Sequence, residues 1–506
     1  MTSLMKVNNL LEEVQAGRPL RGPASNVSGP SPSPLSPSTA HAIFASTPPL
    51  SPSKPRSPRS PLSPHRKSSL GLTLKRPPLS QLPQFYFPNA LQVSEARAAE
   101  FASRVRKHYE AQPSGLDLDQ FTSMVNEAGD LPTTVGRALF WRLGGPEAKT
   151  VQQDTFLSWW HARCLLPAPT IKRVFEVLRQ EHQEYLTYED FSPVLDMLLR
   201  HHPGLEFLAG TAEFQKKYAE TVVYRIFYTL NKSGNGRLTM RELRRSDLVE
   251  ALEALDQEDD INKVLKYFSY EHFYVIYCKF WELDTDHDFL VSRKDLAHYS
   301  QGALSFQIVD RIFQQVARRF TSSVPDMMSY EDFVWFILSE EDKSSDTALD
   351  YWFKCVDLDC DGVIRPKEMW FFYEEQLKRM EGNNQEAVMF PDVLCQLHDM
   401  LQPEVEGQYT LRDLKRMKPQ SGLLFNALFN LHKFLNFENR DPFAVRAEQQ
   451  GELAGLSDWE KFAKIQYYRL ASEDENQEVQ MEADEQAWGE ADAQMADAGD
   501  AKRPGA

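Results

Sequence analysis

Asp357-Leu358-Asp359-Cys360-Asp361-Gly362-Val363-Ile364-Arg365-Pro366-Lys367-Glu368 is the stretch on which the fold turns. Carboxylates stand at loop positions 1, 3, 5 and 12, position 7 offers a backbone carbonyl, and Gly362 occupies position 6, where the chain must turn sharply. A hard cation such as Ca²⁺ takes about six to eight oxygens in a flexible cage, and this spacing supplies them. Asp357, Asp359 and Asp361 are expected to give side-chain oxygens, Val363 its carbonyl, and Glu368 both carboxylate oxygens. With apolar Ile364 at position 8, the stretch reads as the calcium loop of an EF-hand, against the plainer alternative of an acidic surface turn.

A second loop runs from Asp284 through Asp286, Asp288, Phe289 and Leu290 to Asp295. Phe289 replaces the position-6 glycine, which costs about 1–2 kcal/mol if the left-handed conformation is kept. Asp295 is one methylene shorter than Glu, so weaker or more magnesium-tolerant binding is expected here, with a non-binding turn as the alternative. A third loop, 231–242, keeps Gly236 and Glu242 but puts neutral Asn231, Ser233 and Asn235 at positions 1, 3 and 5, beside Arg237, Arg241 and Arg244. One carboxylate among those cations holds a divalent ion poorly, so this loop reads as decayed.

Aligned on position 12, the exit half of the motif recurs at Gln120, Thr155, Asp190, Glu242, Asp295, Asp332, Glu368 and Asp413, each followed by an apolar residue. These intervals suit helix-loop-helix units, most without ion ligands. Generic amphipathic helices with acidic caps are the alternative, above all at Gln120 and Asp413. The expected fold is all-α: an elongated array of EF-hand-like helix-loop-helix units with disordered N- and C-terminal tails. Helices flanking the loops are aromatic, and Phe371 and Phe372 cannot both face the side of Met369 and Tyr373, so some aromatic surface should meet another unit or a partner.

Composition bounds the rest. Of 506 residues 42% are hydrophobic, enough for buried cores, and the formal charge of −17 argues against nucleic acid as the main ligand. Five cysteines lack zinc-site spacing and fit a reducing compartment. No apolar run reaches membrane-span length, and Glu12 and Glu13 interrupt any signal-peptide core, so neither a membrane nor a secretory role is expected. GxSxG, Walker, HExxH and dinucleotide motifs are all missing, which argues against an enzyme.

Four regions are expected: a disordered Ser/Pro-rich basic tail at 1–81, a helical domain of degenerate EF-like units at 82–260 beginning with an aromatic arm, an EF-hand domain with two calcium loops at 261–470, and a disordered acidic tail at 471–506. Residues 1–84 hold ten Lys/Arg against two Asp/Glu. A short amphipathic helix in 1–15 would be a docking peptide or a fraying end. Seven Ser-Pro pairs, from Ser31 to Ser63, and Thr47-Pro48 suit proline-directed kinases, whose phosphates would turn a basic tail acidic. The interrupted cluster from Arg56 to Arg76 also suits nuclear import.

The arm Phe85-Tyr86-Phe87-Pro88, the run from Glu282 to Asp288, and the stretch from Asp357 to the helix ending Tyr373-Glu374-Glu375-Gln376 together resemble the B″ regulatory subunits of protein phosphatase 2A, over about 82–470. That resemblance implies a non-catalytic subunit joining a helical-repeat scaffold subunit to a metal-dependent catalytic subunit. It further implies selection of phosphoprotein substrates in nucleus and cytoplasm, including cell-cycle proteins, with calcium tuning assembly. The ligands it implies are Asp284, Asp286, Asp288, the Leu290 carbonyl, Ser292 and Asp295, then Asp357, Asp359, Asp361, the Val363 carbonyl, Arg365 through its carbonyl or a water, and Glu368. A calcium-binding scaffold or sensor unrelated to phosphatase is the alternative, separated from it by whether phosphatase subunits copurify.

Overall fold

Every residue expected at position 12 is the third residue of a helix. Gln120 and Thr155 hold that place in Leu118–Gly129 and Gln153–Ala162, Asp190 in the short helix Tyr188–Phe191, and Glu242 in Met240–Leu243. Asp295, Asp332, Glu368 and Asp413 do so in Arg293–Leu296, Tyr330–Glu341, Pro366–Gly382 and Leu411–Arg416. In most of these units the position-12 side chain accepts from the N-cap residue at position 9 while the N-cap side chain accepts from the position-12 N–H, as with Ser292 and Asp295 or Thr410 and Asp413. Acidic capping and the EF-hand repeat are therefore one signal, because the residue that caps the exit helix stands where an ion ligand would stand.

This computed structural model describes residues 95–441 apart from Ala111, Pro146 and Glu147, together with Phe443, Gly451 and 453–473. The Ser/Pro tail, the 1–15 segment, the aromatic arm at 85–88 and the acidic tail beyond 473 lie outside the described residues. Among the described residues no helix is long and apolar enough to cross a membrane.

The apolar residue after each position 12 is at most 3% exposed, from Phe121 through Leu414. Each is a side chain whose full burial stabilises by about 1.5–3 kcal/mol. Position 8 closes the units in twos. Leu116 bridges Val151, and three antiparallel two-stranded sheets follow. β1 (Tyr185–Leu186) meets β2 (Leu238–Thr239) with Leu186 opposite Leu238, and β3 (Leu290–Ser292) meets β4 (Met327–Ser329) with Val291 opposite Met328. β5 (Val363–Ile364) meets β6 (Tyr409–Thr410) with Ile364 opposite Tyr409. Gln120 and Asp413, the least certain members by sequence, each belong to a closed pair.

Aromatic side chains fill the spaces between helices. Phe101, Phe121, Phe156 and Trp160 cluster in the first pair. In the middle, Ala212–Leu230 lies against Tyr330–Glu341, with the Thr221 and Tyr330 hydroxyls 2.7 Å apart. Near the end of Tyr330–Glu341 a charged group is buried: Glu340 accepts from Lys343 at 2.5 Å, Asn430 at 2.7 Å and Lys433 at 3.2 Å. Lys433 also reaches Glu341, so two cations face two carboxylates where a lone charge would be costly.

Candidate metal centres

Helix Asp346–Val356 enters loop 357–368 and Pro366–Gly382 leaves it. Between them Asp357, Asp359 and Asp361 converge, with oxygens all within 4.8 Å of one another. Backbone donors hold them in place: Asp357 accepts from Gly362 N at 2.9 Å and Asp361 N at 3.2 Å, and Asp361 accepts from Val363 N at 2.9 Å. Glu368 spans the loop, taking Leu358 N at 2.7 Å on one oxygen and Arg365 N at 2.9 Å on the other. Gly362 has φ 84°, and Cys360 at position 4 has φ 58° with its side chain exposed.

Helix Tyr270–Leu283 enters loop 284–295, where Asp284, Asp286 and Asp288 converge within the same 4.8 Å limit. Asp284 accepts from Phe289 N at 2.9 Å and Asp288 N at 3.2 Å, the same bonds that Asp357 makes. Phe289 adopts φ 62°, so the left-handed turn is kept without glycine. Its ring packs against Phe280 and Trp281 under the Lys217 ammonium, contacts that offset the backbone strain. His287 at position 4 stacks on Trp281 with centroids 4.0 Å apart. Asp295 places Oδ2 at 2.6 Å from Ser292 Oγ and 3.0 Å from Ser292 N. Glu368 instead sends one oxygen across its loop to position 2.

Both sites gather three carboxylates around a concave turn, an arrangement of like charges that favours a cation. Burial, with the Asp286 and Asp288 carboxyls beside it, pushes the Asp284 carboxyl up to about 6. All the converging donors are oxygens, which fits a hard divalent ion.

Arg365 shows what sequence spacing missed. Its guanidinium Nη1 lies 2.6 Å from Asp361 Oδ2 and 3.2 Å from the Val363 carbonyl, two of the expected ligands. The i,i+4 spacing from Asp361 was the available signal. Arg311 was also missed: its Nε donates to Cys355 O at 2.9 Å and its Nη2 to Asp357 O at 3.1 Å, which ties helix Phe306–Phe313 to the start of the second loop.

Neither acidic loop pairs with the other. Loop 284–295 closes through β3 onto β4, and loop 357–368 through β5 onto β6, so each partners a hand without converging carboxylates. In the hand ending at Asp332, Arg318 bonds Asp332 and Glu331 directly. In loop 231–242 the Asn231 amide nitrogen takes the centre. It donates to Arg237 O at 2.9 Å and lies 3.3 Å from Ser233 Oγ, 3.3 Å from Asn235 Oδ1 and 3.4 Å from Glu242 Oε1. Those are the oxygens of positions 3, 5, 7 and 12. Gly236 N donates to Asn231 Oδ1 at 3.1 Å, which fixes the orientation of the amide.

Comparison with known proteins places these hands in context. An EF-hand domain model matches residues 169–258 and an EF-hand domain pair model matches 273–374. A probable B″epsilon regulatory subunit of serine/threonine protein phosphatase 2A from Arabidopsis thaliana is 48% identical over 442 residues, 86% of this chain and 83% of that protein. The probable B″delta regulatory subunit of the same organism is 50% identical over 394 residues, 78% and 73% of the two chains. A solved chain from a protein phosphatase 2A holoenzyme is 45% identical and covers 53% of this chain and 99% of its own, with a TM-score of 0.49.

Proposed function

The chain belongs to the B″ regulatory subunits of protein phosphatase 2A, a family of regulatory rather than catalytic proteins, and we propose that it binds Ca²⁺ and joins the phosphatase scaffold and catalytic subunits to phosphoprotein substrates. The observation that carries this reading is the pair of three-carboxylate clusters, each set where two helices meet. In the first, Asp284, Asp286, Asp288, the Leu290 carbonyl, Ser292 and Asp295 would hold the ion; in the second, Asp357, Asp359, Asp361, the Val363 carbonyl, Arg365 through its carbonyl or a water, and Glu368. Bound calcium supplies the positive charge that lets these oxygens stay together.

Glu368 is both ligand candidate and third residue of Pro366–Gly382, so the angle of that helix depends on how the loop is held. The helix buries Met369, Phe372 and Tyr373 and leaves Trp370 39% and Phe371 42% exposed. Glu375, one turn beyond Phe371, accepts from Phe306 N at 2.7 Å and Gln307 N at 3.1 Å, which brings in Phe306 at 70% exposure. This aromatic surface on the exit helix is our candidate for the face that meets the scaffold subunit.

The test is scaffold binding by the full chain with catalytic subunit present, in excess Ca²⁺ and then in chelator. Weaker binding on chelation supports a calcium-tuned subunit; equal binding reduces calcium to a structural role. No binding in either condition would overturn the assembly role proposed here. Glu368→Gln should lower Ca²⁺ and scaffold affinity together, the first by at least about tenfold. Proline-directed phosphorylation of the 1–81 tail and residence in nucleus and cytoplasm belong to the same proposal. Phosphosite mapping and imaging of the tagged chain before and after tail deletion test them.

A further inference from the structure

The two acidic loops share no sheet, so no ladder of backbone hydrogen bonds joins them. Helix Phe306–Phe313 lies between them in the chain, and both hands hold it. Its Arg311 donates to Cys355 O at 2.9 Å and Asp357 O at 3.1 Å, carbonyls where helix Asp346–Val356 runs into loop 357–368. Glu375, on the helix that leaves the same loop, accepts from Phe306 N at 2.7 Å and Gln307 N at 3.1 Å and so caps the start of the bridging helix. One short helix, about 12 Å long, is therefore bonded to the entering and leaving helices of the second hand at once.

The first hand holds it too. Exit helix Arg293–Leu296 of loop 284–295 packs against Phe306–Phe313, with Arg293 2.8 Å from Asp310 and lying over the Phe313 ring. Asp310 and Arg311 are neighbours in the chain, and each bonds a different acidic hand. Between the exit helix and the bridging helix the backbone is strained. Ser300 and Gln301 take φ 49° and 59° in succession, a left-handed turn made without glycine, before Gly302 at φ 75°. Such residues persist where the bonds around them over-determine the conformation. Here Arg379, from the second hand's exit helix, donates to the Gly302 and Ala303 carbonyls, and Leu431 N donates to Ala303 O at 3.0 Å.

We propose that helix Phe306–Phe313 and the turn at Ser300–Gly302 couple the two acidic loops, given that both bind Ca²⁺, so that an ion in one raises the affinity of the other. An ion in loop 357–368 fixes the angle between the helices that enter and leave it. Cys355 O and Asp357 O lie at the end of one of these helices, Glu375 and Arg379 on the other. Only a narrow range of that angle keeps all four bonded to segment 302–311. With the angle fixed, the strained turn and the bridging helix are held, and Arg293–Leu296 is held with them. Asp295, position 12 of the first loop, lies in that helix. The ordering that the first loop needs is then met in advance, which is positive coupling, and by linkage each loop changes the other's affinity by the same factor.

The test is calorimetric Ca²⁺ titration of the full chain, alone and with one loop silenced by Asp359→Asn with Glu368→Gln or by Asp286→Asn with Asp288→Asn. Each silenced chain gives the intrinsic affinity of the loop that remains. The native chain is expected to bind its second ion at least about threefold more tightly than those two affinities require. The same set is then measured with Arg311→Met and, separately, with Glu375→Gln, so that direct effects of either change on loop 357–368 cancel. Both should bring the factor to about one, and an unchanged circular dichroism spectrum verifies folding; either variant suffices if the other does not fold. A factor of one in the native chain overturns the coupling and leaves both calcium sites standing. Coupling that survives both variants also overturns it, because the route then lies elsewhere. A flat titration of the native chain overturns the calcium reading itself, and this inference with it.

Discussion

Converting Asn231→Asp tests the idea that a side-chain amide takes the place of an ion. In the native hand the amide has one well-formed bond, to Arg237 O at 2.9 Å, and three longer contacts at 3.3–3.4 Å to Ser233, Asn235 and Glu242. A carboxylate donates none of these and brings a second negative charge toward Glu242 at a site only 4% exposed. Losing one good bond costs about 1 kcal/mol, and the poorly paired carboxylate adds about 1–2 kcal/mol, so the variant should lose about 2–3 kcal/mol in chelator. It also gains a second carboxylate in the ligand set. Even with the nearby arginines, a dissociation constant of about 10⁻⁴ M is reasonable for so few charges, and 10 mM Ca²⁺ would then restore about 2.7 kcal/mol. Calorimetric melting in chelator and in 10 mM CaCl₂, with terbium luminescence to count sites, gives the comparison. The expected result is a variant that melts below the native chain without Ca²⁺, recovers most of the difference with it, and shows one additional lanthanide site. A variant as stable as the native chain in chelator would falsify the amide's role, and a loss that calcium does not repair would show that the loop lacks cation geometry.

Arg365→Gln removes a guanidinium from Asp361 and the Val363 carbonyl while keeping a backbone carbonyl at position 9, so Ca²⁺ affinity at 357–368 should rise about three- to tenfold by calorimetric titration. Glu340→Gln leaves Lys343 and Lys433 facing fewer counter-charges in a buried setting and should cost about 3–5 kcal/mol in urea unfolding. The Lys418 and Lys232 ammonium groups hold the Asp346 carboxyl down at about 2. Because that value lies below the unfolded one, Asp346 adds stability above about pH 4 that disappears as pH falls toward 2. Asp346→Asn should flatten this limb by less than about 1 kcal/mol, since the site is largely solvated.

The acidic loops and the repeat were legible because both are local. Ligand spacing lies within twelve residues, and the capping box that starts each exit helix puts a polar residue at position 12 and an apolar one directly after it. Phe371 and Phe372 show the same kind of reading: helical periodicity predicts that they face differently, and Phe372 is buried while Phe371 is 42% exposed. Partner choice among the hands left no such trace. Each position-8 residue is a short apolar side chain or tyrosine that would suit any other, and only chain packing makes Val291 meet Met328 and Ile364 meet Tyr409.

From the sequence alone came the all-helical EF-hand array, the two acidic loops and the family resemblance, because ion coordination, helix capping and amphipathicity act over one or two turns. Tertiary structure alone decided that the acidic loops sit in separate pairs, that Phe289 is tolerated at a glycine position, and that Arg311 reaches the carbonyl of Asp357. It alone also put Arg318 onto the carboxylate of its hand. These outcomes depend on which surfaces meet after the helices have formed, and a donor such as a guanidinium will satisfy whatever oxygens the packed chain brings within its reach.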